Sequence, residues 1–547
     1  VRRAPGGPVA FGAPGEAAAR KPATGARPKF YNRKTAEAPA APKRTGSTPA
    51  RRPQSGTDTT MAKCMHHVHE GGASLREIFR LAWPQTLMMV AHFFIGFVDV
   101  LVAGKIDAEV QAALGIITQC LFFLLIVGIA VANGAVAVIS QSMGACLDHR
   151  VRRYVGLSIL LSLGLSGVIL ALGYGLRTPF LAALQVPERI LPETRYFYDV
   201  YLAVLPSYYL LGAANAIFRA QKRVHIPLFS MVLITVVNTF LDFGLGLGMW
   251  GLPAVGYKGL AWATFGSVSA GALFNLVILH RLSLLKRASF PPLRWMRAAM
   301  PYLVKVAAPS GAMQALWQTG YLVLFAIVGA LPVQAVSALA GLTAGMRIEA
   351  ILFLPAFAFN MTASILVGNA LGAGRPDQAK RVALEVMGIG VALVSLMGLA
   401  LWGFVPELAA FLAPEATVQP HTVTYLHYNI VAIPFTAASM IMGGIMTGAG
   451  ATIYTMVVFG CATWLVRLPL AYLIGHVLWG RAEGVWLAML ISQVLQATVM
   501  FALLLRGRWT RHAMRSGRNG RGSHGNGGNG GPASPALPPT ATSTSRS

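Results

Sequence analysis

The sequence predicts an all-α polytopic membrane protein: twelve transmembrane helices in two six-helix lobes that enter the membrane in parallel. Three observations predict it. The 547 residues are 55% hydrophobic and only 12% charged, against about 25% charged in soluble globular proteins. Long apolar runs recur along the chain, at or above the roughly 20 residues that cross a bilayer. The second six of those runs then repeat the first six in order.

The spans are read at residues 80–103, 112–142, 154–177, 193–219, 226–249, 257–281, 299–330, 335–369, 379–404, 421–448, 452–478 and 484–506. Loop charge orients them. Arg150, Arg152, Arg153, Lys222, Arg223, Lys286, Arg287, Lys380 and Arg381 fall in one set of loops. The alternate set holds only Lys105, Arg177, Arg189, Arg195, Lys258 and Arg481. The first set is therefore expected on the cytoplasmic side, and an even number of spans puts both termini there too. A multi-pass protein of the cytoplasmic (inner) membrane is expected.

The repeat shows in four matches that keep their order. Pro84 in LAWPQTL answers Pro309 in VAAPSGA, and Val110-Gln111-Ala112 answers Val333-Gln334-Ala335. SQSMGACLDHRVRR answers VGNALGAGRPDQAKR, and Gly259-Leu260-Ala261-Trp262 answers Gly484-Val485-Trp486-Leu487. Six spans per half make the repeat parallel, about an axis along the membrane normal. The expected division is an N-lobe at 76–281, a basic linker at 282–298 and a C-lobe at 299–508.

Residues 1–75 and 509–547 are rich in Pro, Gly, Ala, Ser and Arg without periodicity, and read as disordered tails. Met61 stands shortly before the first span, so translation is expected to start there, with residues 1–60 upstream. The net charge of +26 lies largely in these tails and in loops, which argues for a membrane-surface role and against nucleic acid. The four cysteines are scattered and form no disulfide framework. Cys64-Met65-His66-His67-Val68-His69 offers metal-ligating side chains without a rigid frame, so no metal is expected there.

The sharpest chemical signal is a pair of acids inside apolar runs. His225 to Gly248 reads HIPLFSMVLITVVNTFLDFGLGLG, with Asn238 and Asp242 four apart and hence on one helix face. Asp99 sits in the first span, in HFFIGFVDVLVAG. A charged Asp at mid-bilayer costs on the order of 2.5–3.5 kcal/mol on insertion scales, and such residues face a bundle interior or a wet cavity. The expectation is that the fold brings Asp99 and Asp242 together. A carboxylate pair with amide and hydroxyl oxygens can hold a hard cation such as sodium. The same pair, close together and desolvated, can share a proton.

Together these stretches resemble the multidrug and toxic compound extrusion (MATE) family. The residues that carry the resemblance are PQTLMMVAHFFIGFVDVLVAG in span one, NAIFRAQKR ending span four, NTFLD in span five and GLAWAT in span six. RIEAILFLPAFAFNMTASILVGNALGAG in span eight and WLVRLPLAYLIG in span eleven complete the set. It covers about residues 76–508. The resemblance implies two six-helix lobes in a V, with substrate in the cavity between or within them. It implies export driven by inward flow of sodium ions or protons, with Asp99, Asn238, Asp242 and Thr264 as the coupling site, and Asn215 matches the family's Asn at the end of helix four. The chain departs from the pattern of some branches in one respect. Span seven carries Gln314 and Gln318 but no acid, and span ten carries His427 and Asn429 but none either. A C-lobe site of that type is therefore in doubt, and the N-lobe becomes the expected seat of coupling.

Asn215, Gln314, Gln318 and Glu349 are cavity candidates, with Glu349 the foremost C-lobe acid. Arg347 is expected in structural ion pairs, and Arg467 is expected to pair with an acid or with backbone carbonyls. Pro84 and Pro309, at repeat-related places, are hinge candidates, because proline frees a carbonyl and kinks a helix. Tyr201, Tyr208, Tyr209, Trp317 and Tyr321 read mainly as packing or interface residues. The expected function is a cation-coupled antiporter that exports small organic cations or amphipathic compounds by alternating access, as a monomer among membrane lipids, without a cofactor. A lipid-linked saccharide flippase of related architecture would need several cations in its cavity. A membrane enzyme would need a motif such as HExxH or GxSxG in a fitting context, and none is found.

Overall fold

The computed structural model describes residues 74–412 and 415–514. The expectations for residues 1–73, Met61 and the Cys64–His69 segment among them, and for residues 515–547 lie outside the described residues.

In lipid every backbone polar group must be satisfied within the span, so apolar runs of this length fold as helices. The N-lobe consists of α1 Leu75–Ile106, α2 Ala108–Gly144, α3 Asp148–Gly175, α4 Leu191–Ala220, α5 His225–Gly246 and α6 Tyr257–Arg281. The C-lobe consists of α7 Leu293–Gly329, α8 Ala335–Gly372, α9 Pro376–Trp402, α10 Gln419–Ala449, α11 Thr452–Leu478 and α12 Ala482–Arg506. Among the described residues there is no β-strand. The bounds fall within six residues of those read from hydropathy, and the largest shifts extend α3 and α7 backwards into basic loop sequence.

The repeat extends into the details. Short helices follow α3 at Arg177–Ala183 and α9 at Val405–Leu412. The most buried pair of repeat mates is α4 and α10, and the least buried spans are their lobe-mates α1 and α7. Gly259 of α6 and Gly484 of α12 serve one purpose. A Cβ on Gly259 would come within 2.5 Å of the Leu245 carbonyl, and one on Gly484 within 2.7 Å of the Ile474 carbonyl. Small residues let helix backbones touch where lipid supplies no hydrophobic drive.

The two lobes meet at the end of the bundle that carries Leu75 and Arg506. Here α2 and α8 cross through reciprocal contacts. A methyl group on Gly144 would overlap the Asn369 carbonyl, and one on Gly372 would overlap the Gln141 carbonyl. Gln141 Nε2 also donates to the Gly448 carbonyl of α10 at 2.7 Å. The prolines sit beside this junction. α1 and α7 run through Pro84 and Pro309 as continuous helices, and the residue after each proline bonds across the lobes. Gln85 Nε2 donates to Thr362 Oγ1 of α8 at 2.8 Å, and Asn133 Nδ2 of α2 donates to Ser310 Oγ at 2.7 Å. Each kink-prone point thus has one side pinned to the opposite lobe.

Residues 509–514, whose composition reads as tail, fold against the bundle instead. After Gly507 ends α12 with φ 65°, residues 508–512 form a turn of 3-10 helix, in which Trp509 is buried and donates to the Leu504 carbonyl at 2.9 Å. His512 Nε2 lies 3.2 Å from the Tyr454 hydroxyl of α11, and its carbonyl accepts from Tyr302 of α7 at 3.1 Å. Met514 N donates to Gln141 Oε1 of α2 at 2.8 Å. This strap therefore ties both lobes together beneath their junction. A buried Trp and three specific hydrogen bonds outweigh the polar composition that made the segment read as tail.

Candidate functional site

The site forms where α1, α5 and α6 pack in the half of the N-lobe away from the junction. α1 brings Asp99, seven residues before its end. α5 brings Asn238 in regular helix, and then changes character: from Asp242 to Gly246 it is a π-helix. Asp242 is the first residue of that wider turn. Such π-turns are rare and occur frequently at functional positions. Gly244 and Gly246 follow it closely, and residues without side chains let α6 and α1 approach. A Cβ on Gly246 would come within 3.1 Å of Val102 of α1 and 3.0 Å of Leu260 of α6. α6 brings Thr264.

The side chains of Asp99, Asp242 and Asn238 are neighbours. Asn238 and Asp242 are fully buried and Thr264 nearly so, while Asp99 is partly buried. Asp99 lies within reach of both Asp242 and Asn238, but the contacts among them are not well-formed hydrogen bonds. Asp99 Oδ1, both Asp242 carboxylate oxygens, Asn238 Oδ1 and Nδ2 and Thr264 Oγ1 are all buried without a hydrogen-bond partner. A buried polar group without a partner costs roughly 1–3 kcal/mol, more when charged. Five oxygens left so, on three helices, form a donor set with the hardness that a monovalent cation or a proton requires. Neither carboxylate has an ion-pair partner among the described residues, and no group of three or more acids, histidines or cysteines surrounds a metal position among them.

Two aromatic residues were missed as part of this site. Tyr201 of α4 neighbours Thr264 and lies within electrostatic reach of Asp99 and Asp242, and Tyr208 lies within reach of Asp99. The seven-residue spacing that puts both on one face of α4 was the available signal. It was hidden by the general richness of membrane helices in tyrosine.

The other sequence candidates lie elsewhere. Gln318 Nε2 reaches Gln119 Oε1 of α2 at 3.4 Å, so α7 faces α2 across the lobes there, with Gln314 one turn away and partly exposed. Asn215 does not open on the ion site. It is buried and accepts from Asn275 Nδ2 at 2.8 Å, a tie between α4 and α6. Glu349 of α8 is buried in the C-lobe and accepts from the Tyr425 hydroxyl, to which Asn429 Nδ2 donates at 3.1 Å. Arg347 is exposed. Arg467 does not pair with an acid: its Nε donates to Ser492 Oγ at 2.9 Å, and its guanidinium lies over the rings of Trp317 and Tyr321.

The MatE family pattern matches residues 84–243 and again 309–473, once in each lobe. The chain belongs to the MatE family of transporters. Among curated relatives, this MatE transporter is 24% identical over 447 residues to a probable multidrug resistance protein NorM of Thermotoga maritima, covering 80% of this chain and 94% of that one. It is 27% identical over 439 residues to the multidrug resistance protein PmpM of Pseudomonas aeruginosa, covering 77% and 89%. Among solved structures, an outward-facing multidrug resistance MATE transporter superposes with TM-score 0.74 at 18% identity, over 80% of this chain and 96% of that one. Members of this family are transporters and not enzymes, and twelve apolar helices make this MatE protein a multi-pass membrane protein.

Proposed function

We propose that this MatE transporter is a cation-coupled antiporter. It exports small organic, cationic or amphipathic compounds across the cytoplasmic membrane as a monomer, with sodium ions or protons driving export through Asp99, Asn238, Asp242 and Thr264. The observation that carries the reading is the set of buried, unpartnered oxygens on α1, α5 and α6. A carboxylate pair without a counter-charge is at rest only when it is loaded, so loading and unloading select different packings of the N-lobe. Pro84 gives α1 a place to bend immediately before its pinned residue Gln85, so that the rest of α1, with Asp99, repacks against the short segment before it. A cationic substrate favours the same charged carboxylates, and so competes with the driving ion through one lobe. The test is export of a fluorescent organic cation from proteoliposomes under a sodium gradient or a proton gradient imposed separately. One gradient should accelerate export; if neither does, the coupling reading is wrong.

Orientation is part of the same reading. A single cysteine beside Lys105 or Lys258, both exposed, should react with an impermeant maleimide added outside intact cells. One beside Arg152 or Arg287, also exposed, should react only after lysis. The opposite labelling pattern would place the lobe junction and the strap outside.

A further inference from the structure

The C-lobe carries its own answer to the N-lobe site, with the charge reversed. The offset of 225 residues that takes Pro84 to Pro309 and Gly259 to Gly484 also takes Asp242 to Arg467. Both positions border a π-turn, on opposite sides of it: Asp242 opens the π-turn of α5, and Arg467 closes the π-turn Ala462–Arg467 of α11. Ser492, which accepts from Arg467 Nε at 2.9 Å, is at the same offset the mate of Ser267, one turn from Thr264 on α6. Tyr425 falls one residue from the mate of Tyr201. The two lobes thus place equivalent elements around one point, with an acid there in the first lobe and a guanidinium in the second.

That guanidinium is enclosed. Arg467 is 1% exposed, packed on Trp317 at 5.9 Å and Tyr321 at 6.0 Å to the ring centroids. Its Nη2 is buried without a hydrogen-bond partner. The nearest acid in this lobe is Glu349, itself buried. No direct ion pair joins them among the described residues. They act on one another through a short reach of low-dielectric interior, with the hydroxyls of Tyr321 and Tyr425 close to Glu349 and Tyr321 also beside Arg467. A buried carboxylate needs a compensating charge, and a buried guanidinium needs the same. Here each compensates the other. In the N-lobe no cationic side chain among the described residues pairs with Asp99 or Asp242.

We propose that Arg467 is the C-lobe's built-in cation: its guanidinium, at the position equivalent to Asp242, supplies the positive charge that a solution cation supplies in the N-lobe, so Glu349 requires no ion and coupling runs through one lobe only. This rests on the N-lobe coupling reading. Arg467 is then a specificity-determining residue of the transport cycle, setting how many ions are bound per chain. It also accounts for the paired aromatic rings, which hold a fixed cation through their faces.

The test counts cations bound to the purified full-length protein, as radioactive sodium at equilibrium and as protons taken up from weakly buffered solution. Arg467→Gln leaves Glu349 without a compensating cation, facing the neutral side chains of Tyr321, Tyr425 and Asn429, so it should bind one more cation per chain than wild type. Adding Glu349→Gln should remove that extra cation and leave the N-lobe cation bound. A monodisperse Arg467→Gln protein with wild-type binding overturns the proposal. Where Arg467→Gln does not stay monodisperse, Glu349→Gln/Arg467→Gln decides. If removing both charges restores a folded protein, the two charges compensate each other as proposed. If the double variant fails as the single does, Arg467 is a packing residue and the proposal is wrong. Asp242→Asn separates the two readings: it should lose the wild-type cation, and Asp242→Asn/Arg467→Gln should regain one at Glu349. If Asp242→Asn alone binds as wild type does, the N-lobe reading falls, and the Arg467→Gln increment still tests the C-lobe.

Discussion

Asp242→Asn should lower gradient-driven export on the order of a hundredfold, the upper part of the range that typical coupling free energies span, while the protein still folds and reaches the membrane. Asn has the shape of Asp and keeps one carbonyl oxygen, so the π-turn at Asp242–Gly246 and the packing of α6 through Gly259 should survive. What is lost is the charge. Asp242 is fully buried, with both oxygens unpartnered, and an amide there no longer distinguishes a loaded site from an empty one. Asp99→Asn should act in the same direction. The informative control is Glu349→Gln, assayed beside Asp242→Asn for ion-dependent release of bound substrate. Uncoupling by Glu349→Gln together with intact coupling in Asp242→Asn would move the driving site to the C-lobe.

Gly372→Leu should abolish export for a different reason, and leave cation binding in place. The α2–α8 crossing has no room for a side chain at this position: even a methyl group overlaps the Gln141 carbonyl, as one on Gly144 overlaps the Asn369 carbonyl. Backbone cannot move aside as a flexible side chain can. Forcing extra atoms into a close-packed contact costs roughly 1–3 kcal/mol, occasionally more. Applied to the junction, that shifts the balance between closed and open at this end by about fivefold to over a hundredfold, since about 1.4 kcal/mol is a factor of ten. The protein should then be trapped open on the side of its chain ends. A cysteine in place of Ser140, which lies buried beside Gly368 of α8, should become reactive in the Gly372→Leu background and stay protected without it. Wild-type export by Gly372→Leu would show that this crossing does not need to close.

The spans were legible because a bilayer leaves a chain few choices. Apolar length set α6 at Tyr257–Arg281 and α11 at Thr452–Leu478 to the residue. Asp99, Asn238 and Asp242 stood out because a polar group in such a run is costly, while Thr264 came only from the family resemblance; the fold brings the three together on α1 and α5, with Thr264 on α6 beside Tyr201. The rest depends on geometry that composition does not carry. Nothing in NTFLD announces that the helix widens at Asp242, since a π-turn is a matter of one inserted residue in the hydrogen-bond ladder. Arg467 was expected to pair with an acid or with backbone carbonyls, yet its direct contacts are a serine hydroxyl and two aromatic faces. Asn215, a cavity candidate, ties α4 to α6 through Asn275, a partner that the sequence does not announce. Glycines that mark the lobe junction look, in sequence, like the many other small residues of membrane helices.

The strap of residues 508–514 means that the junction is locked partly from outside the bilayer, in water, and so answers to the composition of that water. His512 sits at its centre, against the Tyr454 hydroxyl. Burial, and then the Lys305 ammonium, push its imidazole below the ordinary value of 6.5. A docked His512 therefore resists the proton that a released His512 takes up. The docked form is favoured in full above the ordinary value and loses ground as pH falls through it towards the lowered one. Acidity in the compartment that bathes the chain ends should loosen the clasp, whatever the ion bound at the far end of the N-lobe. Shielding of Trp509 from an aqueous quencher should fall between about pH 7.5 and 5.5, around the ordinary histidine range, and His512→Gln should flatten the change. A Trp509 equally shielded across that range in the parent protein would show that the clasp does not sense protons.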